Sequence, residues 1–296
     1  ALLPNDKVER TYPTYSPDGK EIAFIEDRNK LMVYNFETKK LRQVTDGTHW
    51  YRTDGGFHYT WSPDGKWFAL EIIGNGHDPY SDVAIVSAQG GEVTNITGSG
   101  YFSVSPRWTA DGNAIIFATD RYGMRSHASW GSLMDVMMVF MNQDAYDKYK
   151  LSKEDYELRK ELEKQQKKDK EEAEKKAKKD DKKAKKDEKK DSEKKDDKKK
   201  DDDKKKDIVV ELDGICDRIV RLTRNSSDIH DAIVDGEGEN LYYTRSGDKG
   251  IEIMKIDLRK REESRVGSTQ AVSFGASKDG KTLFLLGRGM SKLGAG

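Results

Sequence analysis

An Asp-Gly dipeptide recurs along the chain at nearly constant intervals. It occurs in Ser16-Pro17-Asp18-Gly19 and again at Asp64-Gly65, Asp111-Gly112, Asp235-Gly236 and Asp279-Gly280. Successive aspartates are 46, 47, 124 and 44 residues apart, so the third interval holds one period and about 78 additional residues. This spacing predicts a repeat architecture in which one supersecondary unit is copied several times and one copy is interrupted.

Each Asp-Gly lies between two short apolar runs, such as Tyr59 to Trp61 and Trp67 to Ile73. Glycine adopts a positive φ without a Cβ clash and aspartate bonds the backbone of a turn, so the dipeptide favours a tight hairpin. A third and a fourth apolar run follow in each period, for example Val83 to Val86 and Val93 to Thr97. Each period therefore predicts one sheet of four antiparallel strands.

Four-stranded sheets that repeat every 40 to 50 residues are typical of a β-propeller, whose sheets are called blades. The strands are almost continuously apolar, which favours burial of both sheet faces over a sandwich with one wet face. We predict an all-β propeller with blades at 11–47, 57–98, 103–224 and 228–267 and the start of a fifth near 270. About four and a half blades do not close a ring of six or seven.

The third blade carries an insert that is dominated by charge. Residues Lys164 to Asp207 include 22 Lys and 16 acidic side chains among 44 residues, with three alanines as the only apolar ones. A short helix is predicted over Tyr149 to Gln165, with Ser152 as its N-cap. Beyond it, disorder or a frayed solvated helix is expected, because nothing there could be buried. The predicted division is 1–144 for blades one to three, 145–207 for the insert and 208–296 for the remaining propeller.

Composition excludes several classes of protein. No stretch reaches the roughly 18 consecutive apolar residues of a membrane helix. Cys216 is the single cysteine, which excludes an intrachain disulfide framework. The charged tract has a net charge of about +6 and no aromatic residue, a weak footprint for nucleic acid. The chain opens at Ala1 without an initiator Met, and we interpret it as a segment of a longer protein.

Motifs for catalysis are missing from the sequence. It contains no Gly-x-Ser-x-Gly elbow, His-Glu-x-x-His or Cys-x-x-Cys. The five histidines are scattered without ligand spacing, and the Asp-Gly turns are best interpreted as structural. We therefore predict no catalytic residue, no metal site and no cofactor in this chain.

One long hairpin connection, Asp120 to Gly131, is the candidate binding site. It holds Arg121, Arg125, His127 and Trp130, a mixture that suits recognition of a peptide carboxylate or backbone. Replacing either arginine by alanine is expected to weaken peptide binding and to change thermal stability little. In the structural alternative, Trp130 and Met124 fill the gap between blades while the arginines face water.

These residues carry a family resemblance. The pattern Trp61-Ser62-Pro63-Asp64-Gly65-Lys66, an apolar strand and a closing Ile-Thr or Leu-Thr strand resembles the repeat of TolB, prolyl-oligopeptidase-type and tricorn propellers. The stretch Thr119 to His127, then Trp130 to Ser132, a Lys-rich insert and Asp213 to Thr223, is similar to bacterial tricorn-like serine peptidases. The similarity covers essentially the whole chain, but only the propeller region of such a peptidase.

The resemblance implies a function for the segment. In this family the catalytic and PDZ domains follow the propellers, so the chain would be a non-catalytic part of a serine peptidase that guides or filters unfolded peptides. The alternatives are a TolB-like or prolyl-oligopeptidase-type propeller that binds a protein partner, and an independent scaffold. Tricorn implies a cytoplasmic location, with the periplasm as the alternative, and self-association is expected from an incomplete ring.

Overall fold

A computed structural model describes residues 3, 6–52, 55–74, 78–126, 131–184, 207–277, 280, 282–287 and 290–292. The chain divides into two compact units, residues 1–146 together with 206–296, and residues 147–205. Each unit is described by itself.

The larger unit consists of antiparallel sheets in which strands that are consecutive in sequence are neighbours. The first sheet contains β1 (Arg10–Tyr15), β2 (Glu21–Glu26), β3 (Lys30–Asn35) and β4 (Leu41–Gln43), and the second contains β5 (Tyr59–Trp61), β6 (Trp67–Ile72), β7 (Asp82–Ser87) and β8 (Thr94–Asn95). The third contains β9 (Ser103–Trp108), β10 (Ala114–Thr119), β11 (Asp135–Phe140) and β12 (Ile219–Arg221), and the fourth contains β13 (Ile229–Val234), β14 (Asn240–Gly247), β15 (Gly250–Asp257) and β16 (Glu262–Thr269). A last sheet contains β17 (Ser273–Ala276), β18 (Leu283–Leu286) and β19 (Met290–Lys292). The predicted all-β propeller of four-stranded blades is confirmed.

The Asp-Gly turns join the first two strands in each of the first four sheets, as the turn at Asp64 illustrates. Ser62 Oγ donates to Asp64 Oδ1 at 2.6 Å and accepts a hydrogen bond from the Trp67 amide at 2.9 Å. The Lys66 amide donates to the same Asp64 oxygen at 3.0 Å, and Gly65 has φ +72°. The turns at Ser16 and Thr109 have the same bonds. The side chains of the motif are therefore used to build the hairpin.

Neighbouring blades pack face to face, and alternate residues of one strand serve the two faces. Phe68 and Leu70 of β6 pack against the first sheet, whereas Ala69 of the same strand packs against the third. All three side chains are fully buried. Because both faces of a middle blade are covered, its strands are apolar at nearly every position.

The first sheet has an apolar face that no described sheet covers. Phe24, Met32 and Tyr34 form a cluster there, flanked by Leu3, Ile22 and Phe36. Phe24 follows its Asp-Gly turn at the same distance as Leu70 follows its own, and Leu70 packs against the preceding blade. The face of the first sheet that carries Phe24 therefore corresponds to the face through which the second sheet packs against the first.

A stem closes the chain where the insert leaves the third blade. The Glu211 amide donates to the Met141 carbonyl at 2.8 Å, and the Gln143 amide donates to Glu211 Oε2 at 2.8 Å. Asn142 Nδ2 donates to the Val209 carbonyl at 3.2 Å. Beyond the stem a 3₁₀ turn (Ile215–Arg218) leads into β12, which pairs with β11. The blade is thus completed across a long interruption.

Two helices occupy the insert, α1 (Gln143–Lys150) and α2 (Lys153–Ala184). Ser152 caps α2, since its Oγ accepts a hydrogen bond from the Asp155 amide at 3.1 Å. The helix predicted over Tyr149 to Gln165 differs in its bounds, because α2 begins at Lys153 and continues to Ala184. Of the two expectations for the residues beyond it, a solvated helix holds as far as Ala184. Glu, Lys and Ala favour helix without an apolar face, and pairs such as Arg159 and Glu163 (3.1 Å) add support. The tract from 185 to 206 lies outside the described residues.

Among the described helices, none is both long and apolar enough to cross a membrane.

Candidate functional site

Arg125 in the connection between β10 and β11 holds a buried carboxylate. Its Nε lies 2.9 Å from Asp120 Oδ2 and its Nη2 lies 3.3 Å from Asp120 Oδ1. The Asp120 side chain is completely inaccessible to solvent, and it also accepts hydrogen bonds from Ser132 Oγ and the Phe102 amide, each at 3.0 Å. The fork of Arg125 is therefore occupied within the protein.

Two tyrosines flank the same guanidinium. It lies 4.9 Å from the ring centroid of Tyr80 and 5.1 Å from that of Tyr101, and its Nη1 donates to the Tyr80 hydroxyl at 3.2 Å. The hydrogen bond to Asp120 raises the pKa of Arg125 above its usual value, while desolvation acts in the opposite direction. The loop is thus fixed to the preceding blade through one arginine, a third of whose side chain stays exposed.

Arg121 is the arginine of this loop that faces water. Its guanidinium lies 5.7 Å from the centroid of Tyr122, and Arg221 lies 4.7 Å from the same ring. No ion pair joins Arg121 to another described residue. Tyr122 is 50% exposed and Met124 is 77% exposed, so Met124 does not fill the gap between blades. His127 and Trp130, the other predicted site residues, lie outside the described residues.

A buried aspartate begins the third strand in both the second and the third blade. No motif in the sequence predicted the structural role of these two residues. Asp135 accepts from Arg221 Nη2 at 2.7 Å and from Thr223 Oγ1 at 2.8 Å. Asp82 is bound in the same way by Thr97 Oγ1 at 2.8 Å. The recurrence in two blades indicates a structural lock between the third and fourth strands.

A second group of charged side chains lies on the first strands of the third and fourth sheets and on β6 of the second sheet. Arg107 of β9 lies 3.1 Å from Asp231 of β13, which also accepts from the Phe274 amide at 2.7 Å. Arg107 Nη1 is buried and has no hydrogen-bond partner among the described residues. Glu71 accepts a hydrogen bond from the Ser105 amide of β9. No sequence motif predicts this group, because its members come from three different blades.

Burial shifts two ionisable groups here in opposite directions. Desolvation by the surrounding protein, followed by the positive charge of Arg107, lowers the pKa of His58, while Asp231 opposes this shift. Desolvation raises the pKa of Glu71, and the Ser105 amide opposes that shift. His58 is exposed to solvent on one side, while neighbouring protein atoms desolvate it on the other. Each shift favours the neutral form of its side chain.

A cavity of ≈ 430 Å³ lies between β1 and the segment that enters β5. It is lined by Tyr12, Pro13, Thr14, Gly56, Phe57, His58 and Tyr59. Tyr59 Oη lies 2.6 Å from the Tyr12 carbonyl oxygen and so ties the two walls together. Sequence patterns do not predict the cavity, because it depends on a β-bulge in β1 that the alternation of apolar residues does not reveal.

One exposed cluster contains the residue types of a hydrolase triad in an unsuitable order. His230 Nε2 lies 3.0 Å from Ser246 Oγ, and Ser246 Oγ donates to Asp228 Oδ2 at 2.6 Å. A triad needs histidine in the middle, oriented by the carboxylate, so that it can take the serine proton. Here serine is in the middle. Among the described residues no three His, Cys, Asp or Glu side chains are grouped as metal ligands.

Comparison with known proteins finds partial sequence matches and similar folds. No family model matches the chain. It is 31% identical over 108 residues to a Sulfurisphaera tokodaii protein named as a tricorn-like protease C-terminal subunit, covering 36% of this chain and 12% of that protein. It is 30% identical over 119 residues to the uncharacterized peptidase YuxL of Bacillus subtilis, covering 37% and 17%. The crystal structure of the tricorn protease superposes with a TM-score of 0.60 at 11% identity, over 94% of this chain and 24% of that one.

The chain resembles a tricorn-like propeller region. TolB from Acinetobacter baumannii is a further structural neighbour, with a TM-score of 0.52 at 13% identity over 96% of this chain and 49% of that one. At such identities the structural likeness shows the fold alone. The chain spans less than a fifth of the length of the two curated relatives it matches.

Proposed function

We propose that the chain is a non-catalytic propeller segment of a tricorn-like serine peptidase, which guides or filters unfolded peptides toward a catalytic core outside this chain. The observation that carries the proposal is the loop between β10 and β11. Its exposed Arg121, Tyr122 and Met124 stand on a base that the pair Arg125 and Asp120 fixes. We keep 1–144, 145–207 and 208–296 as the proposed functional divisions, and the cytoplasm as the proposed location.

Arg121 is the residue of this loop that could hold a peptide carboxylate. A guanidinium offers two parallel donors, and each charge-assisted hydrogen bond contributes about 1.5 to 3 kcal/mol. Arg125 cannot offer its fork without releasing the buried Asp120. We therefore assign contact with peptide to Arg121 and positioning of the loop to Arg125. His127 and Trp130 stay in the proposal as residues of the same connection.

The tyrosine and the methionine of the loop complete a surface suited to unfolded chains. Tyr, Met and Arg are enriched where proteins bind other proteins, because they combine apolar area with directional polar groups. A peptide that passes the loop would meet the exposed edge of Tyr122 beside two guanidinium groups. The sequence of the peptide would then matter less than its extended, accessible backbone.

Kinetics of the full-length peptidase test this assignment. Arg121→Ala should raise KM for unfolded peptides about tenfold, as expected from the loss of one charge-assisted hydrogen bond. The matched control is Arg52→Ala, which removes an arginine that is 71% exposed in another loop. Unchanged kinetics in Arg121→Ala, or an equal effect in the control, would contradict the role of the loop.

The absence of catalysis in the segment itself has a separate test. The purified chain should not hydrolyse casein or fluorogenic peptides. Turnover that copurifies with the chain and disappears on substituting Ser246 or His230 would overturn the non-catalytic proposal.

The alternative function is a TolB-like or prolyl-oligopeptidase-type module that binds a folded protein. The likeness to TolB favours it. A folded partner that binds the chain, whose binding needs Tyr122 and which neither casein nor unfolded peptides displace, would support this alternative.

A further inference from the structure

A β-bulge shapes one wall of the cavity between β1 and β5. The pairing of β1 with β2 shifts register between Thr11 and Thr14, and Tyr12 within the bulge has φ +52°. Non-glycine residues rarely adopt this conformation, which persists only where the surroundings enforce it. The bulge leaves the Tyr12 side chain 62% exposed at the cavity. An aromatic side chain is thus held at the cavity by a costly backbone conformation.

The Tyr12 ring packs closely against Gly56. A Cβ added at Gly56 would lie 2.7 Å from Tyr12 Cε2 and 2.9 Å from Tyr12 Cδ2. Any side chain larger than hydrogen would therefore displace the ring. The position of Tyr12 depends on a residue 44 positions later in the chain, so the two walls of the cavity are matched to each other.

The floor of the cavity is formed by aromatic side chains. Phe57 and Tyr59 are both buried. The Tyr59 hydroxyl lies 2.9 Å from the Ala23 carbonyl oxygen, in addition to its contact with Tyr12, and accepts a hydrogen bond from Thr14 Oγ1 at 3.1 Å. Burial raises the pKa of Tyr59 to about 12, so the phenol stays neutral. The polar atoms of the floor are thus satisfied by the protein itself.

The described lining contains no Asp, Glu, Lys or Arg side chain. Its one titratable group near neutrality is His58, whose charged form is disfavoured by desolvation and by Arg107. A charged occupant would lose its hydration without gaining a counter-charge from the described lining, whereas an uncharged apolar group loses little. The volume of ≈ 430 Å³ lies within the range of small-ligand sites.

We infer that this cavity is a side-chain subsite, which binds a bulky uncharged residue, aromatic or aliphatic, of an unfolded peptide. The inference rests on the proposed peptide-handling function and adds a preference for one chemical class of side chain. The subsite would select apolar segments, which unfolded chains expose and folded proteins bury. Because Tyr12 lines the cavity and is exposed, its ring would be the main contact for the bound side chain.

Binding of defined peptides to the purified chain tests the subsite. The probes are fluorescein-labelled, glycine- and serine-rich decapeptides that carry Phe, Leu, Ala or Asp at one central position, and anisotropy measures the dissociation constant. We expect the Phe and Leu peptides to bind at least tenfold more tightly than the Asp peptide, with Ala between them. Equal affinity for the Phe and Asp peptides would overturn the inference.

Variants connect that preference to the cavity. Tyr12→Ala removes the exposed wall, and Gly56→Ala displaces the Tyr12 ring without removing it. Each should weaken the Phe peptide about tenfold and leave the Asp peptide unchanged. The matched control is Tyr15→Ala, which removes a 67% exposed tyrosine of the same strand whose ring packs against Phe36. The control should bind within twofold of the wild type, and an effect equal to that of Tyr12→Ala would overturn the inference.

Two further measurements distinguish a peptide subsite from loss of the fold and from self-association. Thermal melts identify a variant that has lost its fold. The subsite is then tested by the wild type alone, through its affinities for the Phe and Asp peptides. If sedimentation shows wild-type dimers that Tyr12→Ala abolishes, a second copy of the chain occupies the cavity and the inference is wrong. Failure of Arg121→Ala to change KM would refute the role of the loop but leave a Phe-over-Asp preference in place, so the two proposals fail separately.

Discussion

Removing Arg125 should destabilise the propeller, although part of this side chain is exposed. Arg125→Ala would leave the buried Asp120 carboxylate with Ser132 Oγ and the Phe102 amide as its remaining donors. Breaking a buried ion pair from one side costs about 3 to 5 kcal/mol. Since a third of the Arg125 side chain is exposed and water could enter its place, we expect a lower cost of about 2 to 3 kcal/mol.

The expected loss is measurable by thermal and urea unfolding. In a domain of 150 to 250 residues, 1 kcal/mol shifts the midpoint by about 2 to 4 °C, so Arg125→Ala should melt about 5 to 10 °C lower. A double-mutant cycle with Asp120→Asn should give a coupling energy of about 1 to 2 kcal/mol, because the two groups contact each other. Arg121→Ala is the control, and as a surface change it should cost less than about 0.5 kcal/mol.

Two results would refute this reasoning. The first is an Arg125→Ala variant that melts within about 1 °C of the wild type, and the second is strict additivity of the two substitutions. In either case the ion pair would not fix the loop. The expectation from sequence that both arginines could be removed without a change in stability would then hold for Arg125 as well.

Burial, charge and topology give four more expected outcomes. The raised pKa of Glu71 means that this group binds more protons in the folded protein than in the unfolded chain, so it lowers stability as the pH rises above about 4.5. In urea unfolding, the stability of Glu71→Gln relative to the wild type should therefore increase between pH 4 and 8. The lowered pKa of His58 has the opposite sign, so wild-type stability should fall as the pH drops below about 6.5, and His58→Gln should flatten that fall. Deleting Lys164 to Asp207 should change stability by only about 1 kcal/mol, because shortening a loop about threefold alters its closure entropy little; a fall of many degrees in the melt would mean that the tract packs on the blades. The purified segment should self-associate in sedimentation, because an incomplete ring leaves strand edges unpaired, whereas a wild-type monomer at all concentrations would contradict the predicted number of missing blades.

The parts of the fold that depend on neighbours in sequence could be predicted. Ser62, Asp64 and Gly65 form a complete hairpin turn from six consecutive residues, so the motif determines its own geometry. With the turns located, apolar runs and loop lengths are enough to predict four-stranded blades. The interruption of the third blade is equally visible, because one interval exceeds the others by a whole insert.

The candidate site was predicted only in part, for physical reasons that particular residues illustrate. Arg125 and Asp120 are five residues apart, but the burial that pairs them requires Tyr80 and Tyr101 from the preceding connections. The position of Tyr12 depends on Gly56, and neither residue type predicts a β-bulge at this point of the sequence. The length of α2 was underestimated for another reason. Its extension does not need an apolar stripe, because Lys, Glu and Ala sustain a helix through backbone propensity.

The stem at Met141 to Gln143 separates the insert, whose length can change, from the propeller, whose strand registers must be kept. Its hydrogen bonds to residues 209 to 211 hold the two ends of the insert together whatever lies between them. Insertions and deletions beyond the stem would therefore leave the registers of β11 and β12 intact. Natural variants should differ widely in the length of this segment while keeping the residues of the stem. The same place is also a suitable attachment point for a foreign domain, because a grafted sequence would inherit closed ends.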